Sequence, residues 1–137
     1  MNLAMAKMLA RPRLGGLSSN GMRLVLATRL RVVCARRGVA ALPLIAQRLG
    51  CKRQALSALH IVEVIGAVWP EKFALSPPCC GMLSHDEALL GALAEAAEEG
   101  ERAAFDAHAR DLLNEDARER LWGELRAFAH PVRQHGR

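Results

Sequence analysis

Two adjacent thiols, Cys79 and Cys80, are followed closely by Met82 and His85. All four side chains are of types that bind soft or borderline metal ions. One reading makes Cys79, Cys80 and His85 a ligand set for zinc or another thiophilic metal, or makes the thiol pair a redox sensor. Cys51 or Cys34 could join the set in space. A helix begins just beyond, and the positive end of its dipole would favour thiolate if the cysteines folded back over it. The competing reading is packing: free cysteine often serves as a small buried hydrophobe. Adjacent cysteines also lack the two-residue gap of common zinc knuckles. The leading expectation is therefore no cofactor, with a thiophilic metal as the alternative.

A second constellation lies upstream. A DNA-binding helix-turn-helix wants a small residue in its first helix, a Gly at the turn, and apolar residues at set distances in the second helix. Ala46, Gly50, Leu56 and Leu59 meet that spacing. Lys52, Arg53, Gln54 and Ser57 would open the recognition helix, since Arg reads guanine edges and Gln reads adenine edges. Arg36 and Arg37 would touch phosphates. Against this, the second helix is polar only in its first two turns, and generic helical hairpins match the pattern often.

The elements that must position these residues are helical. Ser84 and Glu87 form a capping-box pattern, and Asp86 and Glu87 suit the positive end of a helix dipole. Hydrophobic residues make up 51% of the chain and aromatics only 4%, so the core must be mostly Leu, Val, Ile and Ala, a bias that favours helix. Helices are expected over 22–37, 43–49, 52–68, 85–99, 101–113 and 115–129. Met22, Leu26, Leu30, Val33 and Cys34 recur at helical spacing and mark the expected core stripe of the first helix. Arg23 and Arg29 fall on its other faces. The third helix reads as the central one, because it becomes apolar on nearly all sides. Residues 1–21 read as a flexible basic arm, 22–130 as one helical domain and 131–137 as a disordered tail. The fold class is all-α, a single bundle of five or six helices.

Charge is divided along the chain. Residues 1–62 hold eleven Lys/Arg and no Asp or Glu; residues 63–137 hold eight Lys/Arg and fourteen Asp/Glu, so the halves carry +11 and 8 − 14 = −6. A basic half points to DNA or another anionic partner, unless the halves pack together and neutralise. No run is long and apolar enough for a membrane span. The cysteines do not form a disulfide framework, which favours a reducing, cytoplasmic setting.

The segment Pro78-Cys79-Cys80-Gly81-Met82-Leu83-Ser84-His85-Asp86-Glu87 resembles a family of short uncharacterised alphaproteobacterial proteins that share a domain of unknown function. That family has a Pro-Cys-Cys cluster, a Met, then Ser/Thr-x-Asp-Glu opening a Leu-rich helix. Its upstream Gly-aromatic-Arg-Arg turn is similar to Gly50-Cys51-Lys52-Arg53, with the aromatic missing. The family often has three cysteines where this chain has two. The resemblance spans roughly 22–93 and implies a shared architecture and interest in Cys79, Cys80, Asp86 and Glu87. It brings no known activity. The sequence therefore leads to a cytoplasmic, non-enzymatic binding or regulatory protein whose basic half contacts an anionic partner, DNA being the most specific candidate. A thiol module at Cys79 and Cys80 and a protein–protein adaptor are the alternatives.

Overall fold

The computed structural model describes residues 12–130. Six α-helices follow a short 3-10 turn at Leu14–Gly16: α1 Ser19–Arg37, α2 Ala41–Leu49, α3 Lys52–Val68, α4 His85–Glu99, α5 Arg102–Ala109 and α6 Glu115–Ala129. Among the described residues there is no strand; a single antiparallel bridge joins Arg13 to Met82. The all-α bundle expected from the sequence is what forms.

The helix ends follow local chemistry. Ser18 caps α1 by accepting from the Gly21 amide, and Gly38 closes it in the left-handed region at φ 67°, where a residue with a Cβ is strained. Gly50 ends α2 the same way. Cys51 caps α3: its sulfur accepts from the Gln54 amide at 3.4 Å. The Ser84–Glu87 capping box is present in full at the start of α4. Asn114 caps α6. Helix α5 stops at Ala109, short of the expected residue 113. A tightened turn there, in which the Leu112 and Leu113 amides both donate to Ala109 oxygen, brings Leu113 into the core.

The expected start of the domain at residue 22 moves towards the N-terminus. Helix α1 begins at Ser19, and residues 12–17 belong to the fold. Leu14 donates its amide to Gly81 oxygen and Leu83 donates to Pro12 oxygen, while Leu17 packs onto Gly91 of α4. Residues 1–11 of the expected arm and the whole tail, 131–137, lie outside the described residues.

One core runs through the bundle, filled by Leu24, Ile45, Ile61, Val64, Leu90, Leu93, Phe105, Leu121, Leu125 and Phe128. Helix α3 packs on α1, α2 and α6, while α4 packs on α1, α5 and α6. The central place expected for α3 is thus shared with α4. Helix α3 also keeps an exposed stripe along its length: Arg53, Leu56, His60, Glu63 and Ala67.

The core stripe of α1 is corrected more sharply. Leu24, Val25, Ala27, Thr28, Arg29 and Cys34 turn inward. Met22, Leu26, Leu30 and Val33 are only half-buried. The apolar spacing most legible in α1 therefore runs along the rim of the core: Cys34 is buried, Leu30 packs on the core's edge, and Leu26, Leu30 and Val33 line surface clefts. Thr28 is tolerated inside because its hydroxyl donates to Leu24 oxygen at 2.8 Å, which satisfies the buried polar group.

Candidate functional site

The 74–87 segment carries the thiols, and a buried arginine holds it. Arg29 reaches from α1 with 2% of its surface exposed. Its Nε donates to Glu87 Oε2 at 2.7 Å and its Nη2 to Glu87 Oε1 at 2.9 Å. This is a bidentate, charge-assisted pair of the strong kind. Nη1 donates to Cys80 oxygen at 2.7 Å, and Nη2 also donates to Met82 oxygen at 3.1 Å. Glu87 is fully buried and also accepts from the Ser84 amide at 2.9 Å. Both charges are therefore paired and hydrogen-bonded, as buried charges must be.

The protonation states follow from this geometry. The hydrogen bond to Glu87 raises the Arg29 pKa despite burial, so the guanidinium stays charged. Burial alone would push the Glu87 carboxyl up. The hydrogen bonds from Arg29 and from backbone, with the attraction of the guanidinium, outweigh burial and hold it below its ordinary value.

Further bonds close the loop. Ser84 Oγ donates to Ala74 oxygen at 2.6 Å, and Asp86 Oδ2 accepts from the Ala74 amide at 2.7 Å. Cys80 donates its amide to Pro77 oxygen. What the sequence offers as a ligand cluster is thus a loop clamped from below by Arg29.

The expected metal set does not assemble. Among the described residues no group of three or more His, Cys, Asp or Glu side chains could hold a metal ion. Cys79 is exposed, Cys80 is half-buried, Cys34 is buried and Cys51 is exposed; all four are free thiols. His85 is exposed at the first position of α4. Neither Cys34 in the core nor Cys51 at the α3 cap completes a set with Cys79 and Cys80. Placement decides this, because Cys34 in α1, Cys51 at the α3 cap and the Cys79/Cys80 loop belong to three different parts of the fold.

The helix-turn-helix residues divide. Lys52 and Arg53 are exposed on the first turn of α3, and Arg36 and Arg37 are exposed at the end of α1; Ser57 is half-buried. Gln54, expected to read a base, is buried. Its Oε1 accepts from Arg23 Nε at 2.9 Å, and its Nε2 donates to Asn20 Oδ1 at 3.2 Å and Phe128 oxygen at 3.4 Å. Arg23 also donates to Leu49 oxygen, and Asn20 donates to Glu98 at 2.7 Å. Gln54 is therefore the centre of an internal network joining α1, α2, α3, α4 and α6. Leu56, expected to bury against the first helix of the hairpin, is 49% exposed. The Gly50 turn is as expected; of the residues expected to read bases, Gln54 is the one withdrawn into the interior.

Sequence reasoning missed Arg29 as a buried residue and Arg23 as a half-buried one tied to Gln54 and Leu49. Their spacing placed both on solvent faces, and no periodicity distinguishes them from Arg31 or Arg36. The pattern Ser84-x-x-Glu87 did mark Glu87, but only for its own helix.

Charge separation persists in the fold. Arg29–Glu87 and His60–Glu124 join the two halves, whereas Arg102–Asp106, Arg102–Glu119 and Arg118–Asp106 lie within the acidic half. Arg36, Arg37, Arg48, Lys52 and Arg53 are exposed on α1–α3. Helix α2, about 13 Å long at nine residues, separates the Arg36/Arg37 end of this surface from the Arg48/Lys52/Arg53 end. Among the described residues no helix is long and apolar enough to cross a membrane. No family model, curated protein or solved structure matches this chain.

Proposed function

We propose that this chain is a small non-enzymatic binding protein whose basic helices α1–α3 engage an anionic partner. The observation that carries the reading is the persistence of charge separation after folding. Arg23 and Arg29 are committed to internal bonds, and Arg36, Arg37, Arg48, Lys52 and Arg53 are exposed on α1–α3. Such a surface attracts polyanions and steers them at long range. Gln54 is tied up inside, so DNA would meet this surface without it, chiefly through phosphates.

The test uses a labelled DNA duplex and heparin as polyanion probes. Binding should weaken steeply, by an order of magnitude or more, between about 50 and about 200 mM salt. Arg48→Glu with Arg53→Glu should weaken it further. Retention of neither probe at low salt refutes the reading.

A thiol module is the second reading, and one observation favours it. Cys79 is exposed on a loop that Arg29 clamps, and it opens onto a cleft of about 230 Å³. In this reading Cys79 and Cys80 act by thiol chemistry. Fast, stoichiometric labelling of both thiols in the native protein supports it; slow labelling of both removes it.

A further inference from the structure

The half-buried face of α1 lies in a groove between α2 and the 76–80 loop. Three clefts of about 410, 230 and 220 Å³ run along it. Leu30 and Arg48 line the first two, and Arg29 and Pro78 line the last two, so the clefts adjoin one another. Leu26, Leu30 and Leu44 supply apolar walls, Arg48 stands towards one end and Arg36 at the other. From Leu26 to Arg36 the groove follows about 15 Å of helix axis, the length of a ten-residue helix. Among the described residues neither Arg36 nor Arg48 takes part in an ion pair.

The exposed large hydrophobics, Val39 at 49%, Leu44 at 43% and Leu56 at 49%, all fall within the same basic half. An apolar stripe at helical spacing is normally buried by a chain's own core; here Leu26, Leu30 and Val33 stay only half-buried, Leu30 at the core's edge. Unburied apolar surface set among cations fits a partner that is both apolar and anionic.

We propose that this groove docks a segment of a partner protein that presents apolar side chains and carboxylates on one face. The proposal rests on the reading that the basic half takes an anionic partner, and it names the class of that partner. Apolar side chains would enter between Leu26, Leu30 and Leu44, and carboxylates would meet Arg36 and Arg48. A DNA duplex leaves those leucines unused.

The test pans a displayed library of random peptides, about 16 residues long, against the full chain. Enriched peptides are then measured in solution against Leu44→Glu, Arg48→Glu and the control Glu115→Lys. Leu44 and Arg48 are exposed, so both variants should fold, which circular dichroism checks. The expected result is enrichment of Asp/Glu together with Leu, Ile or Phe, affinity about tenfold or more weaker for each groove variant, and no loss for the control. Enriched peptides without acidic residues, or binding that ignores both groove variants, overturn the proposal. Salt-dependent binding of DNA and polyglutamate without enriched peptides also overturns it, but leaves the anionic-partner reading standing. Failure of peptides and polyanions alike removes both.

Discussion

Removing the charge of Glu87 should unfold a large fraction of this protein's stability margin. Glu87→Gln keeps the shape of the side chain and its place in the capping box, where Gln is accepted. It removes the countercharge of an arginine whose surface is 2% exposed. Deleting one partner of a buried pair costs about 3–5 kcal/mol, because the other charge is left uncompensated. The bonds from Arg29 to Cys80 and Met82 oxygens persist, which puts the expectation near about 3 kcal/mol, the lower end of that range. A domain of this size holds about 5–15 kcal/mol in total. Urea unfolding, followed by circular dichroism and by the fluorescence of Trp69 and Trp122, should show the midpoint falling by about 1–2 M at unchanged slope. The double variant Arg29→Met/Glu87→Leu should be less destabilised than the sum of its singles by more than about 1 kcal/mol, because no lone charge remains inside. A Glu87→Gln loss below about 0.5 kcal/mol, or strict additivity in the double variant, would refute the clamp as a source of stability.

The same pair sets a pH dependence. The Glu87 carboxyl is held below its ordinary value, so its contribution is present above the unfolded carboxylate range and is lost as pH falls through the lower folded value. Stability should decline below about pH 5, and Glu87→Gln should decline less over that window; equal slopes in urea titrations would contradict this. Thiol labelling of the native protein should modify Cys79 and Cys51 first, Cys80 more slowly and Cys34 only on unfolding, as mass spectrometry of labelled peptides can resolve; early labelling of Cys34 would count against the packing of α1. Gln54→Ala should destabilise by about 1–3 kcal/mol, since it removes the Gln54 partner of Arg23, Asn20 and Phe128 oxygen. Polyanion binding of its folded fraction should be unchanged, and a selective loss of duplex binding would restore a base-reading role. Cys51→Ser should match or exceed the wild type in thermal melts, because a hydroxyl is a better cap acceptor than a thiol.

The sequence by itself determined the helices, most of their ends and the charge division. Ser84-x-x-Glu87, Asn114, Gly38 and Gly50 act through bonds and dihedral angles within a few residues, so they are legible without a fold. The basic first half is a matter of counting. Only the tertiary structure decided which side of each helix is inside. Leu26, Leu30 and Val33 give α1 a regular apolar stripe, yet α4 packs against the other side, where Leu17 settles on Gly91. Gln54 reads as a polar residue at a helix start, and it is buried because Arg23, Asn20 and Phe128 converge on it from other elements. Arg29 and Glu87 stand far apart in the chain and meet only when α1 and α4 dock. Propensity and spacing are local properties; burial of a charge depends on a partner that no local pattern announces. The cysteines show the same division: their types suggest a shared site, but α1, the α3 cap and the 76–80 loop hold them apart.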